Sequence, residues 1–94
     1  MATSTIKDNR VHRINVESSS VTIAADARSY VDIATGLSSG TTIISLELYQ
    51  LPNWNWVTTN VMLLSESTLR CYYHNEYSGS LTGKFGFRIA YTVN

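Results

Sequence analysis

Lys84–Asn94, KFGFRIAYTVN, is the stretch that decides the fold. Phe85, Phe87, Ile89, Tyr91 and Val93 occupy every second position, with Lys84, Gly86, Arg88, Ala90 and Thr92 between them. A period of two belongs to an extended strand, whose successive side chains point to opposite faces, so the aromatic and β-branched set is a core face. The other set mixes small residues with two cations, and another backbone, sheet or subunit can approach closely there.

Working outward, Leu69, Cys71 and Tyr73 alternate with Arg70, Tyr72 and His74 in another strand. That strand leads into NEYSGSLTG, a long hairpin connection rich in turn formers. Thr41–Leu51, TTIISLELYQL, sets Ile44, Leu46 and Leu48 against Ile43, Ser45, Glu47 and Tyr49 and reads as a central strand. Ile44, Leu48 and Leu51 also sit at helical spacing, but the paired isoleucines and threonines favour the strand. Pro52-Asn53 makes a turn, and NWVTTNVMLLS then forms one long strand, or two broken by a bulge near Thr59-Asn60. Upstream, Val31 and Ile33 oppose Tyr30 and Asp32 before the TGLSSG loop, and two short strands carrying Ile14, Val16, Val21 and Ile23 flank SSS in a hairpin-like arrangement. Residues 1–9 are a polar lead-in and residues 10–94 a single domain. Six to eight short strands separated by regular turn signals predict an all-β fold, a compact antiparallel β-sandwich of jelly-roll type.

Composition agrees. Val, Ile and Thr supply 25 of 94 residues and the aromatics 10, all types suited to a pleated, half-buried surface. Seven basic and seven acidic side chains cancel, without the basic excess that phosphate or anionic-lipid binding calls for, so nucleic acid is not an expected partner. The longest aliphatic run, Val61–Leu64, is far short of the roughly 20 residues of a spanning helix, and membrane insertion is not expected. MATSTIKDNR lacks the apolar core of a secretory signal. A domain of this size buries only about two thirds of its unfolded surface and needs a staple. Cys71 is the only cysteine, and His12 and His74 stand far apart with no paired metal-ligand spacing, so neither a disulfide, a metal nor a cofactor is expected; self-association is.

No catalytic grouping stands out. Cys71 and His74 are three apart in a strand and therefore project to opposite faces, which makes the thiol a buried small hydrophobe rather than a nucleophile beside its base. The aromatic and asparagine clusters carry more. Asn53-Trp54-Asn55-Trp56, if extended, puts both indoles on one face; Tyr72, His74, Asn75 and Tyr77 crowd the entrance to the long connection. Aromatic faces cover the C–H patch of a sugar while amides and imidazoles bridge its hydroxyls, so Asn53, Trp54, Trp56, Tyr72, His74, Asn75 and Tyr77 form the expected ligand-binding set. The same residues suit a protein epitope. The plain alternative is that the two tryptophans are core or subunit-interface side chains and that Tyr73, which shares a face with Leu69 and Cys71, is core.

Taken together, SSSVTIAADARSYVDI, GLSSGTTIISLELY and STLRCYYHNEYSGSLTGKFGFRIAYTV, with Asn75 after the penultimate strand and Tyr91–Val93 closing the last, resemble the small C-terminal head domains of tailed-phage and prophage fibres and baseplate receptor-binding proteins. The resemblance implies a homotrimeric β-sandwich at the tip of a virion tail, made in the bacterial cytoplasm, that adheres without enzymatic activity to a cell-surface glycan or protein. Two alternatives stay open: a structural virion component with no receptor contact, and a small trimeric lectin unrelated to phage. The chain starts with its own Met1 and has almost no stalk, so the head is either the whole protein or a piece of a longer one.

Overall fold

The computed structural model describes residues 10–94; the polar lead-in assigned to residues 1–9 lies outside the described residues. Eight strands follow in chain order: β1 (His12–Glu17), β2 (Val21–Ile23), β3 (Arg28–Ala34), β4 (Thr41–Gln50), β5 (Val57–Ser65), β6 (Thr68–Asn75), β7 (Leu81–Gly83) and β8 (Gly86–Val93). They form three antiparallel sheets, β1-β8-β4, β2-β7 and β3-β6-β5. The pairs β1/β8, β2/β7 and β3/β6 nest inside one another, as when a long antiparallel ribbon folds over into two layers in the jelly-roll manner. The all-β sandwich read from the sequence is the architecture observed.

The core is built where the layers meet. Phe87 and Ile89 of β8 and the adjoining Phe85 face Leu69 and Cys71 of β6, Ile33 of β3 and Ile23 of β2, all essentially without solvent contact. Tyr73 stacks on Phe85 with ring centroids 5.3 Å apart, at the partly buried end of the inner face of β6. Burial of the thiol pushes Cys71 up to a pKa of about 11.

Four expectations about the layout are corrected. The Ile14–Val16 and Val21–Ile23 strands do not make a hairpin: β1 pairs with β8 and β2 with β7. The serine link between them turns the corner from one sheet to the next, and buried Ser18 fastens it, its N–H donating to Phe85 O at 2.8 Å and its Oγ accepting from Phe85 N–H at 2.9 Å. Thr41–Leu51 is not a central strand. β4 is the edge of its sheet, β8 lies in the middle, and a bulge at Ile44 leaves Ile43, Leu46 and Leu48 as the inward residues while Ile44 turns to solvent. In β5 the irregularity falls at Leu64, not at Thr59-Asn60, beside the Ser65–Thr68 turn. The connection after Asn75 contains β7, whose pairing with β2 consumes Leu81–Gly83.

Candidate functional site

The outward face of β3-β6-β5 is a small array in register. Cross-strand pairing sets Arg28 opposite His74 and His74 opposite Thr58; two residues on, Tyr30 stands opposite Tyr72 and Tyr72 opposite Asn60; two further, Asp32 stands opposite Arg70 and Arg70 opposite Met62. Because side chains alternate, the inner-face residues of the same strands, Val31, Ile33, Leu69, Cys71 and Val61, anchor the array to the core. A strand residue cannot be core and site at once, and here the parity divides the two roles.

Between the Arg28–His74–Thr58 row and the Tyr30–Tyr72–Asn60 row runs an open groove of about 590 Å³, floored by the backbone of Ser29, Tyr73 and Thr59. Its aromatic wall is Tyr30 against Tyr72, rings tilted by 60° with centroids 5.7 Å apart. Behind that wall Arg70 is fixed from two sides: its Nε and Nη2 donate to the two Asp32 oxygens at 2.8 and 3.1 Å, and its guanidinium lies 4.1 Å from the Tyr30 ring centroid. Hydrogen bonds from Arg70 hold the Asp32 carboxyl below its usual range. On the opposite wall His74 is oriented by Asp26, Nε2 to Oδ1 2.8 Å, with Glu76 3.7 Å from Nδ1. Asp26 sits in the left-handed region at φ 57°, in the tight turn closed by Ala27 N–H donating to Ala24 O at 3.1 Å, a conformation that Asp tolerates better than most residues.

The residues expected to bind ligand separate into three groups. Tyr72 and His74 lie in the groove. Trp54, Trp56 and Tyr77 lie beyond its end, in the β4–β5 and β6–β7 connections, where Trp56 O accepts from Glu76 N–H at 2.8 Å and the Trp56 and Tyr77 rings pack at 5.4 Å. The segment is a turn, not extended, so its two indoles do not form the flat platform that an extended run would give. In the isolated subunit Trp54 is 63% and Trp56 43% exposed, which removes them from the core.

Asn75 is not available to a ligand, and half-buried Asn53 has its side-chain oxygen engaged in its own turn. Asn53 Oδ1 accepts from Asn55 N–H at 2.9 Å and shapes the turn. Asn75 is fully buried: its Nδ2 donates toward Ile23 O, Ala24 O and Gly79 O at 3.2, 3.1 and 3.0 Å, and its Oδ1 accepts from Tyr77 N–H at 2.9 Å. Its role is to tie β2, β6 and the loop bearing Tyr77 together. The turn formers after it mark a loop and so place it among surface residues, while two of its partners, Ile23 and Ala24 at the end of β2, are more than 50 positions away.

Besides the floor residues Ser29, Thr59 and Tyr73, four residues of the groove walls were not anticipated: Arg28, Tyr30, Thr58 and Asn60. The sequence does hold a signal for Tyr30, which alternates against Val31 and Ile33 and so had to face outward. Its neighbourhood with Tyr72 and Asn60 depends on which strands pair. Cys71 and His74 do occupy opposite faces, Cys71 buried and His74 at the groove. Compared with known proteins, the chain matches no protein-family model, no curated protein and no solved structure.

Proposed function

We propose that this chain is a non-enzymatic adhesion module that holds a bacterial surface glycan in the groove on β3-β6-β5 and works as a homotrimer, in the manner of the phage-tail head domains its sequence resembles. The observation that carries the reading is the composition of one uncovered groove: a two-tyrosine wall for the apolar face of a sugar ring, with the Asn60 amide, the Thr58 hydroxyl and the His74 imidazole turned to the same space. A volume of about 590 Å³ lies within the range that encloses a small organic ligand and suits a short oligosaccharide.

Self-association is supported by the aliphatic edge that one chain leaves in water. The inner row Ile33–Leu69–Leu63 runs from 1% and 0% exposure to 42% at Leu63, with exposed Met62 and Leu64 beside it. A second copy covering this edge would supply the apolar burial that so short a domain otherwise lacks.

Screening the full chain on an array of bacterial surface polysaccharides tests the reading. The expected result is retention of a defined subset that is lost in Tyr72→Ala and weakened in Asn60→Ala, while both variants keep the wild-type melting curve. Silence across the array, or binding indifferent to Tyr72, overturns it. Met62 favours one other reading, since it stands on the same outer face as the groove and would suit a structural subunit contact. In that case acrylamide would fail to quench Trp54 and Trp56 in the assembled particle, whereas the adhesion reading keeps both accessible.

A further inference from the structure

Among the described residues, the nine that line the groove include one permanent cation, Arg28, and no carboxylate. The same face shows what a guanidinium beside Tyr30 ordinarily has. Arg70, on one side of that ring, is answered by a two-pronged Asp32 carboxylate. Arg28, two residues from Tyr30 on the same strand and the same face, is exposed and has no such answer among the described residues. The nearest acids on the neighbouring turns, Asp26 and Glu76, are both directed at the His74 imidazole, at 2.8 and 3.7 Å. Where Asp32 stands for Arg70, Arg28 faces the open groove.

We propose that the groove selects an acidic sugar, whose carboxylate takes the place on Arg28 that Asp32 takes on Arg70 while its ring lies on the Tyr30–Tyr72 wall. The proposal rests on the glycan reading above and narrows it. Guanidinium and carboxylate match as planar forks, and such charge-assisted pairs are roughly twice as strong as neutral hydrogen bonds. At a groove open to solvent the pair is screened by salt, so selectivity for the acid is greatest at low ionic strength.

The test uses uronate-containing oligosaccharides of gluco, galacto and manno configuration, each paired with its carboxyl-reduced counterpart, titrated calorimetrically against the full chain at low and at physiological salt. We expect at least one acidic member to bind about tenfold or more tighter than its reduced partner. The advantage should shrink as salt rises, and Arg28→Gln should bring the acidic form down to the affinity of the reduced one. Arg28→Lys should recover only part of the difference, because an ammonium lacks the fork. Tyr72→Ala should weaken acidic and reduced forms alike. If reduced and acidic forms bind equally, or Arg28→Gln leaves their ratio intact while Tyr72 is still required, the acidic assignment falls and the glycan reading stands. If neither form binds in any configuration, both fall.

Discussion

Asn75 shows how much one side chain can carry in a fold without a disulfide. Its amide serves three carbonyls and one N–H from the end of β2, the residue after it and the β6–β7 loop, with no solvent contact. Asn75→Ala leaves those groups without their partner at about 1–3 kcal/mol each where water cannot reach them, so a loss of about 3 kcal/mol or more is expected in urea denaturation. Asn75→Asp should be worse, because a carboxylate set against three carbonyls has nothing to donate and repels them. An outcome in which Asp is tolerated as well as Asn would mean the carbonyls are not the true partners. Cys71 supplies a second residue-scale prediction. Its folded pKa, raised by burial to about 11, lies above that of a thiol in the unfolded chain, near 8.5. Its contribution to stability is therefore fully present below about pH 8.5 and is lost as pH rises through about 11. Within the same logic, the native protein should resist thiol-specific reagents at pH 8 and react at once in denaturant.

At the scale of elements, the corners and bulges decide which residues reach the surface. Gly83 and Gly86 flank the passage from β7 to β8. A Cβ on Gly83 would lie 2.8 Å from the Pro52 backbone, and one on Gly86 would lie 2.8 Å from the Tyr49 ring. Backbone yields less readily than the end of a side chain, so Gly83→Ala should cost more than Gly86→Ala, with the latter at about 1–3 kcal/mol. In the Gly86 variant the Tyr49 ring must leave its place between Glu17, 3.4 Å from its hydroxyl, and Arg88, 5.6 Å from its centroid. Comparing the two denaturation midpoints checks the order. The bulges at Ile44 and Leu64 each insert one residue and so turn an aliphatic side chain out of the alternation. Replacing Leu64 by Ser should change the stability of a lone subunit by less than about 0.5 kcal/mol.

For the whole molecule, the expected behaviour in solution is association. Light scattering should give about three times the 10.5 kDa chain mass, and Leu63→Glu, at the exposed end of the Ile33–Leu69 row, should shift it to one chain while leaving far-ultraviolet circular dichroism unchanged. A wild-type protein that stays monomeric at high concentration would remove the trimer from the proposal and leave the groove as the property of a single subunit. The groove and the aliphatic edge share β5, Asn60 and Thr58 on one side and Met62 to Leu64 further along. Assembly through that edge would bring the grooves of neighbouring copies close together, so an avidity gain on a polymeric glycan over a short one is the corollary.

Residue parity alone determined a good deal here. The period of two in KFGFRIAYTVN and TLRCYYHN, and the β-branched and hydroxyl-rich composition, fixed the class, most strand positions and the inner face, because alternation in an extended chain is a local property that sequence displays directly. The same parity separated Cys71 from His74. What only the tertiary structure decided is which strand lies beside which: that β8 and not β4 is central, that β1 and β2 belong to different sheets, and that Arg28, Tyr30, Thr58 and Asn60 meet Tyr72 and His74 on one face. Cross-strand neighbours are brought together by hydrogen bonds between segments up to about 46 positions apart in this site, and an amino-acid pattern carries no record of that distance. Asn75 failed as a ligand candidate for the same reason, since two of its three carbonyl partners, Ile23 O and Ala24 O, come from the end of β2 and become visible only once the ribbon has folded over.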